Sequence, residues 1–163
     1  MNILDLPAPE AARALVGKIL VRTLPDGTVL RARITETEAY FGESDTACHA
    51  SHGRTKRTEV LYRRAGTLYV YLCYGIHWML NLVTGPENDP QAVLIRGVEG
   101  ASGPGRVTKF LRIDKSLNDA ALGGALALED DGFVPAHIEA SPRVGIGYAA
   151  PEDQARPWRF TAG

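Results

Sequence analysis

Between residues 18 and 40 apolar and polar side chains alternate with a period close to two, through "KILVRTL", the punctuation "PDGT" and then "VLRARITETEAY". This alternation predicts two strands joined as a hairpin, with Asp26-Gly27 supplying the turn. The same period assigns faces. Leu30, Ala32 and Ile34 are expected to share a side with Glu36, Glu38 and Tyr40, so that an apolar face becomes acidic as the strand ends. A second pair of β-rich runs fills "GTLYVYLCYGIHWMLNLVTG" and meets near Tyr74-Gly75. In its first run Leu68, Val70 and Leu72 point one way, while Tyr69, Tyr71 and Cys73 point the other.

The remaining elements are shorter. "APEAARALVG" reads as a helix, "AVLIRGV" as a strand that is apolar except for Arg96, and "GPGRVTKFLRI" as a helix opened by Gly-Pro. "RVGIG" and "PWRF" read as short closing strands, and a polar loop carries the chain from Phe41 to about Arg57. With no repeat, low-complexity tract or linker, the pattern predicts one mixed α/β domain over residues 1–163, largely antiparallel in character.

Composition agrees with a single core: 163 residues, 45% hydrophobic and 23% charged. The opening "MNILDLPAPEAARALVG" has no basic flank followed by an apolar stretch, and no run approaches a membrane span, so the expectation is a cytoplasmic protein with no membrane partner. Cys48 and Cys73 are accordingly expected as free thiols.

A net charge of −1 does not advertise a nucleic-acid binder, but its distribution does. Arg54, Lys56, Arg57, Arg63 and Arg64 are interrupted by one acid, Glu59, and Arg106, Lys109, Arg112 and Lys115 recur at roughly helical spacing. Acids gather elsewhere, at Glu129, Asp130, Asp131, Glu139, Glu152 and Asp153. These clusters fit a basic face toward DNA and equally a solvated surface.

The densest candidate chemistry is "RITETEAYFGESDTACHASHGRT". Beside apolar positions, Glu38 would be pushed up in pKa by desolvation and drawn back by an arginine such as Arg96, a balance suited to a general base. A strand-end carboxylate in a surface ion pair is the plainer alternative. Cys48, His49, His52, Cys73 and His77 are the residue types that bind zinc, yet there is no CxxC or HExxH, and adjacent Cys48-His49 aim poorly at one ion.

Taken in order, "ETEAY", "DTACH", "GRTKR", "GTLYVYLCYG" followed by Asn81, "VLIRGVE", "GPGRVTK" and "RVGIG…RPWRF" resemble the alkyladenine, or 3-methyladenine, DNA glycosylase family from the N-terminal helix to Phe160. The resemblance implies an α+β domain with a curved, largely antiparallel sheet, a protruding β-hairpin and peripheral helices. It implies hydrolysis of the N-glycosidic bond of alkylated or deaminated purines in double-stranded DNA by a monomer, with no cofactor and no metal. Glu38 would take the place of the catalytic carboxylate, with Arg96 beside it. Glu36 is the lesser candidate for the base. Tyr40, His49 and Tyr71 would enclose the flipped purine, and Asn81 would crowd the N2 amino group of guanine. Tyr74 would be the hairpin-tip wedge, with Ile76, His77, Arg54, Lys56, Arg57, Arg106 and Lys109 as further DNA contacts.

Three departures stand against the family pattern. Almost nothing lies between Glu99 and Gly103, where members carry an additional helical segment. "RTE" at 57–59 replaces the usual Arg-Asn start, and Arg106 stands where lysine is common. Two other classes remain as alternatives: a non-catalytic module that recognises damaged nucleic acid, indifferent to Glu38, and a zinc-dependent deaminase or nuclease, sensitive to chelators.

Overall fold

A computed structural model describes residues 2–163. Helix α1 (Ala8–Leu15) follows Pro7, and its Ala8, Ala11, Ala12 and Leu15 are buried completely. Three alanines on one face let this helix lie close on the sheet, where the Thr37 hydroxyl donates to the Ala12 carbonyl at 2.7 Å. The hairpin read from period two is present as β1 (Ile19–Thr23) and β2 (Val29–Phe41), with Gly27 at φ +89° and the Thr28 N–H held by Asp26 Oδ1. Next come β3 (Leu68–Cys73), β4 (His77–Val83), β5 (Gln91–Val98) and β6 (Ala101–Ser102). Helix α2 (Pro104–Phe110), β7 (Leu126–Glu129), β8 (Ile138–Ser141), α3 (Pro151–Ala155) and β9 (Arg159–Ala162) complete the chain.

The nine strands among the described residues belong to one curled antiparallel sheet with the path β3-β4-β5-β2-β1-β7, confirming the α+β class with peripheral helices. Long β2 organises it. Residues 29–33 pair with β1, residues 36–38 with β9, and its other edge with β5. The core, including Leu20, Ile34, Leu68, Leu80, Ile95, Leu111 and Leu126, lies between the sheet and its helices. A smaller cluster of Cys48, Val60, Leu61, Tyr62 and Tyr69 packs on the opposite side.

Two readings of the sequence require correction. Glu38 does not continue the face of Ile34. The β2–β5 register is irregular between Ile34 and Glu36 and again between Glu36 and Thr37. Ile34 and Val98 face the core, as do Ala39, Val93 and Ile95, and Thr37 faces α1 with them. The irregularity therefore exchanges the faces of both strands, and Glu36, Glu38 and Tyr40 emerge on the side away from α1. Nor is "RVGIG" a strand. It is a loop with Gly145 at φ +72°, and two of its residues, Arg143 and Val144, donate hydrogen bonds inward rather than to a sheet neighbour. Strands β7 and β8 are not announced by the sequence pattern.

The gap after Glu99 takes a definite form. Val98 pairs with Ala101, so the chain reverses in the two residues Glu99-Gly100, with Gly100 at φ +92°. Among the described residues no helix is long and apolar enough to cross a membrane.

Candidate active site

Glu38 has no solvent exposure, yet both of its carboxylate oxygens are held. The Tyr40 hydroxyl donates to Oε1 at 2.8 Å, and the Val144 backbone N–H donates to Oε2 at 2.6 Å. Arg96 Nε lies 3.9 Å from Oε2. Burial pushes the Glu38 carboxyl above the ordinary carboxylate range, and the Val144 N–H, the Arg96 charge and the Tyr40 hydroxyl pull the other way. Glu36, the neighbouring carboxylate, is bound by Arg159 at 2.9 Å and by Arg96 Nε at 3.4 Å. Both guanidinium groups meet the same oxygen, Oε2, so Glu36 is held in an ion-pair cluster.

The loop that presents Val144 is anchored by a buried ion pair. Arg143 donates to both oxygens of Asp45, at 2.7 and 3.0 Å, and also to the carbonyls of Ala39 and Asp153. Its guanidinium carbon sits 5.0 Å from the centre of the Tyr40 ring and 5.1 Å from that of Trp158. Asp45 in turn accepts the backbone N–H groups of Phe41 and Ala47, which shapes the polar loop after β2. Arg143, Val144 and Asp45 were given no role from the sequence. The alternation in "RVGIG" points to a strand, and no local pattern links residues 45 and 143.

A cleft of about 1100 Å³ opens over these groups, lined by Glu38, Tyr40, His49, Tyr71, Arg96 and the 144–148 loop among others. It narrows to an inner pocket of about 40 Å³ reached by Tyr69, Asn81 and Leu61. The inner space is too small to hold a whole purine. His49 Nδ1 is hydrogen-bonded to the Tyr69 hydroxyl at 2.9 Å, and the His49 ring lies 4.5 Å from that of Tyr71. Burial and the Arg57 charge lower the His49 pKa to about 4, so the ring is neutral at physiological pH. Asn81 is pinned by its amide nitrogen to the carbonyls of Tyr69 and Met79.

The structure thus brings Glu38, Arg96, Tyr40, His49, Tyr71 and Asn81 together around one slot, and the tyrosine face of β3 lies where alternation placed it. At the hairpin tip Tyr74 and Ile76 are 88% and 72% exposed, and His77 follows at the start of β4. Gly105 at the start of α2 packs on His77: a Cβ there would fall 2.7 Å from its Nδ1. Arg57 and Arg106 line the cleft, and Lys56 and Lys109 are exposed. Arg54 is placed otherwise. Its guanidinium forms a two-point ion pair with Glu59 at 2.6 and 2.9 Å, away from the cleft lining. Among the described residues no three His, Cys, Asp or Glu side chains are grouped to hold a metal. Burial raises the Cys48 thiol to about 11, which makes it a poor ligand.

A buried, doubly held carboxylate on the wall of an aromatic slot, at the floor of a cleft flanked by arginines and a bare hairpin, has the layout of a hydrolase acting on a ring drawn out of a polyanion. The family model described as methylpurine-DNA glycosylase matches residues 2–102 and 99–163. A relative from Methanocella arvoryzae is 46% identical over 178 aligned positions, covering 96% of this chain and 88% of the relative. Others from Psychrobacter cryohalolentis and Borrelia garinii subsp. bavariensis are each 43% identical, covering 93% and 94% of this chain and 84% and 89% of theirs. All three carry the provisional name 3-methyladenine DNA glycosylase. The chain belongs to the methylpurine-DNA glycosylase family; it is a DNA repair glycosylase, and DNA is its substrate. The two matched pieces meet at the Glu99-Gly100 turn, and the alignment with the Methanocella protein is longer than the 163 residues of this chain, so that relative carries residues this chain lacks.

Proposed function

We propose that the protein hydrolyses the N-glycosidic bond of alkylated or deaminated purines extruded from double-stranded DNA, using water as nucleophile and leaving an abasic site. The observation that carries this reading is Glu38: no exposure, both oxygens held, at the wall of a slot lined by rings. A carboxylate so placed accepts the proton of an attacking water, and its charge stabilises oxocarbenium character on the deoxyribose. Arg96, 3.9 Å away, favours the ionised form of that carboxylate against the cost of burial, and it also lines the cleft. The leaving base departs unaided when it is already cationic, as 3-methyladenine and 7-methylguanine are. Neutral lesions such as hypoxanthine or ethenoadenine depend more on how the slot binds them.

Tyr40, His49 and Tyr71 hold the base by stacking, worth about 1 to 3 kcal/mol per base. A cationic purine adds a cation-π contribution of about 0.5 to 2 kcal/mol, and a neutral His49 does not oppose it. Asn81 at the slot floor discriminates against purines that carry a group it would clash with. Tyr74 fills the gap in the duplex, offsetting part of the few kcal/mol lost on unstacking, while Ile76, His77, Arg57, Arg106, Lys56 and Lys109 meet the backbone and groove. The enzyme acts as a monomer.

The test is a single-turnover assay on duplexes with one lesion each, drawn from the four bases named. The expected result is free base and an intact abasic strand that nicks only after alkali, with a rate unchanged by EDTA and falling steeply with salt. A covalent DNA adduct trapped by borohydride, or loss of activity to the chelator, would contradict the mechanism.

A further inference from the structure

The outer cleft and the inner pocket share a throat, and four of its residues carry rings: Tyr40, His49, Tyr71 and Tyr148. The first three are fixed from within. Tyr40 is bonded to Glu38, His49 to Tyr69, and the Tyr71 ring packs on His49 and on Tyr69 at 4.5 and 5.2 Å. Tyr148 differs. It is 68% exposed, and its one hydrogen bond runs from its hydroxyl to the Ala47 carbonyl at 2.8 Å. Ala47 lies two residues before His49, so this bond ties the loop that holds Glu38 to the loop that carries a slot wall. Nearby Gly145 and Gly147 have no heavy atom within 4 Å of a would-be Cβ, while the Gln154 side chain holds the Gly147 and Ala149 carbonyls beside Tyr148.

With its hydroxyl held by the Ala47 carbonyl, Tyr148 lines both the outer cleft and the inner pocket while staying largely exposed. A large ring left this exposed gains burial only when something flat enters beside it. We infer that Tyr148 is a specificity-determining residue of the slot, the outer ring against which the extruded nucleotide closes once Tyr40 and Tyr71 have received it. The inference rests on the glycosylase reading above. Because the hydroxyl tether already fixes the side chain, ring contact is made without ordering a free rotamer.

The experiment separates the ring from the tether and binding from chemistry. In a Glu38→Gln background, where base release is slow enough to measure binding, adding Tyr148→Ala is expected to raise Kd for a hypoxanthine duplex roughly ten- to a hundredfold, the effect of losing one stacked ring. Kd for the undamaged duplex stays within a few-fold. Tyr148→Phe, which keeps the ring and loses the Ala47 bond, stays within about fivefold of its parent. In the otherwise wild-type enzyme Tyr148→Ala raises KM and leaves the single-turnover rate at saturation within a few-fold. An unchanged lesion Kd in Tyr148→Ala would overturn the inference. So would Tyr148→Phe matching Tyr148→Ala, since the strap between loops and not the ring would then be what matters. Failure of the wild-type enzyme to release any base would instead sink the proposed function, and the two failures are distinguishable because the binding measurement does not need turnover.

Discussion

The slot and the hairpin tip are built on opposite principles. In the slot the key polar groups are buried or half-buried and already partnered: Glu38 by Tyr40 and Val144, His49 by Tyr69, Asn81 by two carbonyls. At the tip, Tyr74 and Ile76 stand in solvent with nothing against them. The Ile76 N–H closes a turn onto the Cys73 carbonyl at 3.1 Å, and both central residues, Tyr74 and Gly75, have positive φ, +54° and +67°. That primed turn favours Asn-Gly, and a tyrosine in the left-handed region costs about 1 to 2 kcal/mol. Each region departs from what stability alone would select, the slot by desolvating a carboxylate and the tip by straining and exposing an aromatic. Apart from exposed Tyr148 at its mouth, the slot is fastened before substrate arrives, whereas the tip is completed only by a partner.

The sharpest way to break the comparison is to unfasten the slot from behind. Asp45→Asn leaves Arg143 buried without its counter-charge, and removing one member of a buried pair costs about 3 to 5 kcal/mol. Urea denaturation should show that loss as a lower midpoint with an unchanged slope; a variant as stable as wild type would mean that the slot is not pinned by this pair.

A smaller effect concerns the electrostatics of Glu38. Its pKa lies above the usual range, and catalysis needs the ionised form, so kcat/KM should fall as pH drops through a value above that of an ordinary glutamate. Removing a nearby positive charge favours the protonated acid. Arg96→Met should therefore move this acidic limb to higher pH, while a limb that stays put, or shifts down, would detach Arg96 from the carboxylate.

The smallest effect belongs to the tip. Tyr74→Asn relieves the strained turn and should stabilise the protein by about 1 kcal/mol, read by thermal unfolding, while base extrusion, read by a fluorescent base opposite the lesion, weakens. A loss of stability would show that the tip is held by contacts within the chain.

The sequence was legible where chemistry follows local period. The tyrosine face of β3, the turn at Tyr74-Gly75 and the helix opened by Gly103-Pro104 all follow from neighbours along the chain. The face of Glu38 was not legible by the same rule, because the β2–β5 irregularity inverts it. One sign was present: Gly97 interrupts an apolar strand, and a Cβ there would meet Thr35 Oγ1 at 3.0 Å and Glu36 Cβ at 3.2 Å. The 143–148 loop was misread for a different reason. Its apolar-glycine alternation imitates a strand, but its role arises from contacts about a hundred residues away in sequence, Arg143 with Asp45 and Val144 with Glu38, that no local pattern encodes. The ion pair of Arg54 with Glu59 shows the converse, since a basic cluster does not reveal which of its charges a nearby acid neutralises.

Glu38→Gln tests the account most directly. A carboxyl whose folded pKa is raised above its unfolded value contributes stability at low pH that is lost as pH rises through the folded pKa, so at neutral pH the ionised Glu38 weighs against folding. Its amide keeps the shape and can still accept from Val144, but it cannot take a proton from water. Excision and thermal unfolding measured on one preparation at neutral pH should therefore give a rate lower by about 10² to 10⁴-fold or more, with a midpoint equal to or above that of wild type. A variant that still releases base at the wild-type rate, or one that loses activity only because its unfolding midpoint has fallen by several degrees, would contradict the claim that this buried carboxylate is retained for chemistry.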